Sequence, residues 1–507
     1  MSLFRNRFIS TTMLACDPIS LTASGAVISS LLSTTIIGSV TVGQVALTLA
    51  LSGASYLLQQ SAAAAAGAGV DQGVKQTVQN AIYDERLIYG RVMVGGRMLL
   101  YECKPPYLYV LLEIASHEID AIEQIQINGQ VVTFDGSGAA NSSNFVSAST
   151  PYVYMSARLG APGQVIDPLL DADFPELAST WRQQGHACVA FKCYYGSSAD
   201  DHNKFWGSGG FPQFLMLVRG MKCFDPRDAT QSSADPTTWK WTNNASLCTA
   251  HFLNSDDGQK VDWSEINLER LAAAANQDDN GISLASGGVE KRYTVNGTVN
   301  PNASPGEVLQ NLLTANLGDL VWSNGVYSPY SGVARDAVWT LNDDSARGTM
   351  DVRVTQSRAS LLNLVRTVFV ASDRDYQTVN GPVIEDITYA AADGESHELT
   401  LTLPFTSSAT MAQRIAKATM EKSRAGRQIT RRESIDALRL EATDVVNFEM
   451  GLLPALGCTA RVNRLLLDME KFEFEIDAEE YDSAAFDWSI ADEQPFTISP
   501  ATLSGVN

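Results

Sequence analysis

The sequence predicts a mainly β protein with α+β parts, built as several domains. Three observations predict it. Short runs with period-two alternation of apolar and polar residues recur along most of the chain. Helical spacing is confined to a few stretches, with no strand–helix–strand alternation between them. The 507 residues also exceed what one core organises at roughly 100–200 residues per domain.

The strand readings follow from the N-terminal side onward. LIYGRVMVGGRMLLYECK (87–104) turns at Gly95-Gly96, and LYVLLEIAS (108–116) follows it. IEQIQINGQVVTF (122–134) reads as a hairpin, because Asn128-Gly129 supplies the positive φ that its turn demands. HACVAFKCYYG (186–196), MDVRVTQ (350–356), HELTLTLPF (397–405) and KFEFEIDAEEY (471–481) alternate as strands. Helical spacing marks 263–275, 305–315 and 410–425, and a short helix or arm is expected over 71–82. Polar connections at 135–150, 225–245 and 276–304 separate these elements, and no repeat of fixed period appears. Gly129, Gly220 and Gly325 are expected in turns or at close backbone contacts.

Charge narrows the function classes. Lys and Arg number 36 against 57 Asp and Glu, a net of −21. Such a balance argues against sequence-independent binding to DNA or anionic lipid, which needs clustered Lys and Arg. Only 18% of residues are charged, which suits large buried subunit interfaces. The seven cysteines are odd in number and scattered, so no disulfide framework is legible, and they fit synthesis in a reducing cytoplasm.

Between Asp17 and Asp71 no charged residue occurs. The most apolar part, 25–58, would form about 50 Å of continuous helix, enough to cross a bilayer core, or two shorter helices. Its many Ser, Thr, Gly and Ala suit close packing between helices. The candidate lumen- or membrane-facing positions are Ile28, Leu31, Leu32, Ile36, Ile37, Val40, Val45, Leu47, Leu49, Leu51 and Leu57. A static plug and a segment that inserts into a membrane are both open readings. Arg5 and Arg7 begin the chain like a signal peptide, but the apolar run 8–15 is short and broken by Ser10, Thr11 and Thr12.

Motifs for catalysis or metal binding fail one by one. No phosphate-binding glycine loop and no GxSxG elbow is present. His117-Glu118 and His397-Glu398 open like a zinc-protease helix, yet positions 121 and 401 are Ala and Leu. Asn276, Asp278, Asn280 and Gly281 imitate a calcium loop whose twelfth position is Gly287 rather than Glu. Cys188 and Cys193 point to opposite faces of an alternating strand, which spoils joint ligation beside His186. The acids of 468–493 read as a solvated sheet face. No catalytic residue, no metal and no cofactor is therefore assigned, and the chain is read as a non-enzyme.

Several segments in order resemble the central hub of long-tailed bacteriophage tail tips, the group of the lambda-type host-specificity protein and gene-transfer-agent hubs. They are QTVQNAIYDERLIYGRVMVGG (76–96), LYVLLEIASHEIDAIEQIQINGQ (108–130), and PQFLMLVRGMKCFDPRDA (212–229) with WKWTNNASLCTAHFL (239–253). SPGEVLQNLLTANLGDLVWSNGVYSPYSG (304–332) follows, and 382–429 with AEEYDSAAFDW (478–488) closes the series. Asn244, Ala245 and Leu253 hold matching places; Tyr83 and Ala245 stand where the family usually has Pro.

The resemblance implies a homotrimeric, non-enzymatic virion protein with tail-tube-like β-barrel hub domains. It would continue and close the distal end of the tail tube, organise tail-tip and fibre proteins, and take part in host attachment and DNA ejection. Implied partners are distal tail, tail-tip, fibre and tape measure proteins and the host envelope, with a possible host membrane contact. Genome DNA would pass the lumen without specific binding. The implied location is the virion tail tip, after synthesis in the bacterial host cytoplasm. The expected division is an arm (1–17), the uncharged helical segment (18–70), hub domains at 71–185 and 186–300, an α+β domain (301–405) and a closing domain with barrel strands (406–507). Because the chain reaches Asn507 soon after the closing motif, receptor recognition is expected from other proteins or a separate gene. The alternatives are a membrane-active pore protein and a tail-associated cell-wall hydrolase.

Overall fold

Strands between residues 91 and 219 close two antiparallel sheets on one core. The computed structural model describes residues 85–147, 149–177, 181–196, 199–206, 211–354, 360–451 and 454–496, with the backbone of 44–46 and 48–52. One sheet runs in the order Val153–Leu159, Ala187–Tyr194, Tyr107–Ala115, Arg97–Lys104. The facing sheet runs Arg91–Val94, Phe214–Arg219, Ala121–Ile127, Gln130–Val132. Phe191 and Phe214, one from each sheet, stack with centroids 4.2 Å apart among Leu108, Val110, Leu112, Val189 and Met216. The outer face of the first sheet is covered as well, by Leu170 and Phe174 at the short helix Pro168–Asp173. Tyr107–Ala115 is thus buried on both sides, which is why its sequence is a continuous apolar run rather than an alternating one.

Asn128 (φ 51) and Gly129 (φ 74) form the expected hairpin turn between Ala121–Ile127 and Gln130–Val132. Gly325 (φ 83) turns the next hairpin, and a Cβ on Gly220 would stand 2.1 Å from the Ile88 carbonyl oxygen. Gly95-Gly96 differs from its expected role. It does not join paired neighbours but carries the chain from one sheet to the facing one, where a Cβ on Gly96 would lie 2.6 Å from Leu112 Cβ.

A second core gathers helices Ala245–Asn254, Leu268–Asp278 and Pro305–Thr314, hairpin Asp319–Ser323/Val326–Tyr330, and a three-stranded sheet backed by helix Ala409–Arg424. Side-chain caps start three of these helices: Asn244, Asn267 and Ser408 accept from the backbone N–H three residues on. The small sheet runs Gln377–Glu385, Leu364–Ala371, Glu398–Leu403, with the last pair parallel. That crossover, through helix Ile387–Asp393, is a strand–helix–strand unit that the sequence pattern did not reveal.

The closing module is a strongly curved sheet, a half-barrel. Its order is Trp339–Leu341, Val445–Phe448, Cys458–Asp468, Glu473–Glu480, Gln428–Glu433, Ala346–Arg353. Leu341, Ile429, Val446, Phe448, Val462, Leu465, Phe474 and Ile476 fill its concave core. The mainly β expectation with α+β parts therefore holds over the described residues.

The apolar helical expectation for 18–70 does not hold where that segment is described. Gln44–Ala46 pairs antiparallel with Leu466–Asp468, and Thr48–Ser52 pairs antiparallel with Asp319–Ser323. Val45, Leu49 and Leu51 thus sit in strands opposite Leu467, Trp322 and Leu320. The sheet edges at 319–323 and 466–468 offer backbone partners, and β-branched and small residues accept that offer as readily as they accept a helix. Ile28, Leu31, Leu32, Ile36, Ile37, Val40, Leu47 and Leu57 lie outside the described residues. Among the described residues no helix is long and apolar enough to cross a membrane.

Candidate functional site

Charged side chains converge where the half-barrel abuts the 319–330 hairpin and the end of helix Ala409–Arg424. Asp319, nearly inaccessible, begins the hairpin in an otherwise apolar run. Arg461 Nη1 lies 3.2 and 3.1 Å from its two carboxylate oxygens, and Arg335 Nη2 lies 3.4 Å from Oδ2. Arg461 Nη2 donates to Glu479 at 3.0 Å on the neighbouring strand. Arg335 Nη1 donates to the Thr443 carbonyl at 3.2 Å and hydroxyl at 3.1 Å, and its guanidinium sits 4.3 Å from the Tyr330 ring centroid. The Arg335 backbone N–H donates to Tyr481 Oη at 2.9 Å.

Two cavities flank Arg335. One, of about 180 Å³, is lined by Asp319, Arg335, Lys422, Arg461, Glu479 and Tyr481 among others. The other, of about 230 Å³, lies against Arg270, Tyr330, Asp336 and Asp444. Burial works against the Arg461 charge, but Asp319 and Glu479 outweigh it and hold the guanidinium pKa above its ordinary value. Burial, then Arg461, pushes Lys422 down to about 8. Chemically this is a joint: opposed charges fix three chain segments in one arrangement.

A local irregularity builds the rest of the charged face. The register between Cys458–Asp468 and Glu473–Glu480 shifts between Val462 and Arg464. Arg464 Nε then donates to Asp477 at 2.6 Å, and Arg432 and Arg464 both approach Glu475. Phe474, Ile476 and Ala478 point the other way into the core. The acids over 468–493 are thus corrected in one respect: on strand Glu473–Glu480 they are interleaved with arginines rather than simply solvated.

The motif residues rejected at the sequence level sit in structural roles. His117 uses both ring nitrogens, Nε2 accepting from Ile88 N–H at 2.9 Å and Nδ1 donating to the Glu118 carbonyl at 2.7 Å. Burial pushes it down to about 4. His251, pushed down to about 3 by burial, meets Tyr89 Oη at 2.9 Å. Asp278 is completely buried and accepts from Ser246 N–H (2.8 Å), Ser246 Oγ (2.6 Å) and Ser331 Oγ; burial pushes it up to about 6. Cys193 faces the core between the two sheets and Cys188 the opposite one, and burial pushes both thiols up. Among the described residues no group of three His, Cys, Asp or Glu is placed to hold a metal ion.

Residues 304–464 match the model of the family Phage-tail_3, described as "Putative phage tail protein". That segment holds the hairpin, the small sheet, helix Ala409–Arg424 and most of the half-barrel. No curated protein sequence matches the chain. Among solved structures, a chain of the virion of a native gene transfer agent particle superposes with a TM-score of 0.59 at 15% identity, covering 92% of this chain and 98% of that one. A 43 kDa tail protein of prophage MuSo2 from Shewanella oneidensis gives 0.29 at 9% identity, covering 80% and 99%. Prophage tail protein gp18 from Listeria monocytogenes EGD-e gives 0.27 at 8%, covering 77% and 88%; neither of these two values carries an argument. The chain is similar to phage tail proteins over 304–464 and shares the fold of a gene transfer agent virion chain over nearly its whole length. The family match supports a phage-tail role for residues 304–464, and the gene transfer agent likeness shows the fold.

Proposed function

We propose that the chain is a tail-tip hub: a structural, non-enzymatic protein that assembles as a homotrimer, continues and closes the distal end of a tail tube, and organises tail-tip and fibre proteins. The observation that carries the reading is the half-barrel itself. It lies largely within the tail-family segment, and among the described residues its terminal strands Trp339–Leu341 and Ala346–Arg353 each have one unpaired edge. Open edges are an aggregation hazard unless something covers them, and neighbouring protomers of a ring do so. Val338 and Met350, exposed beside those edges, favour the same outcome. The interleaved Arg and acid face gives a surface whose charges are internally matched, as passage of DNA without adhesion requires.

The residues of the uncharged segment, from Ile28 to Leu57, are proposed to serve at the tube's interior or at the host membrane during DNA ejection. Gln44–Ala46 and Thr48–Ser52 would anchor that segment to the hub. Native mass measurement and electron microscopy of the purified chain, alone and with its tail partners, test the hub. A trimer with cyclic symmetry is expected. A persistent monomer at micromolar concentration with partners present overturns the reading.

A further inference from the structure

The cavity of about 180 Å³ carries an imbalance that the joint does not use. Three cations line it: Arg335, Lys422 and Arg461. Two are neutralised in place, Arg461 by Asp319 and Glu479 and Arg335 by Asp319. Lys422 is not. Among the described residues no carboxylate lies within ion-pair distance of its ammonium, which instead sits 4.7 Å from the centroid of the Phe486 ring.

The remaining acids of the wall are engaged elsewhere. Glu421 accepts from Tyr389 Oη at 2.8 Å. Glu480 accepts from the Gly426 and Arg427 backbone N–H groups, each at 3.1 Å, and Arg427 Nε lies 3.7 Å from it. Asp482 accepts from Ala484 N–H at 2.9 Å. The other charged groups that act on Lys422 are Arg461 and Arg335, which repel it, and Asp319 and Glu479, which attract it from within their own ion pairs. Lys422 is half-buried, so solvent holds part of its charge, and a counter-ion in the cavity would stabilise that charge further. The space for a counter-ion is present, since a single water needs only about 15 Å³.

We propose that this cavity binds a small free oxyanion, of the phosphate, sulfate or carboxylate class, which pairs with Lys422 between guanidinium groups already oriented by Asp319 and Glu479. The bound ion would brace helix Ala409–Arg424 against the half-barrel and the loop that follows the 319–330 hairpin, because Lys422, Arg461 and Arg335 come from these three. The proposal does not depend on the hub reading, and it holds or fails on the isolated chain.

Isothermal titration of the full chain with sodium sulfate, phosphate and acetate at constant ionic strength tests it. Saturable binding of about one ion per chain is expected for at least one of the three, with a matching rise in Tm that sodium chloride does not produce. Lys422→Met should weaken binding at least tenfold, while Lys422→Arg keeps it within a few fold and Lys471→Met, on an exposed turn, leaves it unchanged. If Lys422→Met does not fold, the pH series decides on the native chain. Sulfate keeps its charge from pH 7 to 10, so its affinity should fall over that range as the ammonium is lost. Absence of saturable binding, equal binding by Lys422→Met, or an affinity flat with pH overturns the proposal. Saturation only at molar concentration identifies an adventitious ion only and overturns it as well.

Discussion

Two regions of the molecule bury ionisable side chains, and they manage them in opposite ways. At the joint around Asp319, charge is answered by charge: two guanidinium groups converge on one carboxylate, and Glu479 takes the far side of Arg461. Across the upstream half, His117, His251 and Asp278 are answered by neutral donors and acceptors: a backbone amide, a phenol, two serine hydroxyls. In the first arrangement the carboxylates outweigh the burial of Arg461 and hold its guanidinium pKa above the ordinary value. The second shifts its groups toward their neutral forms, because burial disfavours the charged forms and outweighs the one opposing carboxylate, Glu118 beside His117. One region should therefore be sensitive to mutation and the other to pH.

The largest effect is expected from breaking the joint. Asp319→Ala removes the shared acceptor and leaves Arg461 and Arg335 close together without it, and loss of one partner of a buried pair costs about 3–5 kcal/mol. Urea denaturation of the variant should show a midpoint lowered accordingly. A loss below about 1 kcal/mol would mean that solvent reaches the pair and that the contrast between the regions is false.

Next in size is acid lability of the upstream region. His117 and His251 have folded-state pKa values near 4 and 3, below the usual 6.5. Their contribution is fully present above pH 6.5 and is lost as pH falls toward those folded values. A tenfold difference in proton affinity between the unfolded and folded chain is worth about 1.4 kcal/mol, so the pair together weakens the fold by several kcal/mol at pH 4. Protonation of His117 would also set two N–H groups against each other at Ile88. His117→Gln keeps an acceptor there without a titrating group, and stability of this variant should vary less between pH 6.5 and 4.5 than that of the parent chain. An identical pH slope would exclude His117 from the acid response.

Asp278 should act with the opposite sign and a smaller size. Its folded pKa, near 6, lies above the ordinary carboxylate value. Its contribution is present below the unfolded value of about 4 and is lost as pH rises through 6. Asp278→Asn retains an acceptor for Ser246 and can donate to Ser331. It should be about 1–3 kcal/mol less penalised than the parent at pH 8 and lose that advantage at pH 4. Equal stability of the two at both values would show that the serines alone keep the carboxylate ionised at no cost.

What the sequence disclosed divides along a related line. Elements whose cause is local were legible: the Asn128-Gly129 turn, the alternation of Glu473–Glu480, and the helices at 305–315 and 410–425, which the structure gives as Pro305–Thr314 and Ala409–Arg424. So was the divergence of Cys188 and Cys193, which needs only the period of a strand. Elements whose cause is a distant partner were not. Nothing near residues 44–52 announces that strands 319–323 and 458–468 will claim them. The joint was invisible for the same reason. Asp319, Arg335, Lys422, Arg461 and Glu479 lie far apart in sequence, on four elements and a loop, and only the break that Asp319 makes in an apolar run hints at one of them.

The smallest effect is expected on the half-barrel's charged face, and it tests how far burial, rather than charge pairing itself, explains the joint. Arg432 and Glu475 approach to 3.5 Å across neighbouring strands, with side chains about a third exposed. Their chemistry matches that of Arg461 and Asp319, but water reaches them. A double-mutant cycle through Arg432→Gln and Glu475→Gln should return a coupling of about 0.2–1 kcal/mol, declining further in 1 M salt, where the Debye length is about 3 Å. The same cycle through Arg461 and Asp319 should return several times more and resist salt. Equal couplings would mean that the curved sheet, by holding its arginines and acids in register, stabilises exposed pairs as strongly as the interior does. The charged face would then contribute to holding the half-barrel in shape as well as to its surface.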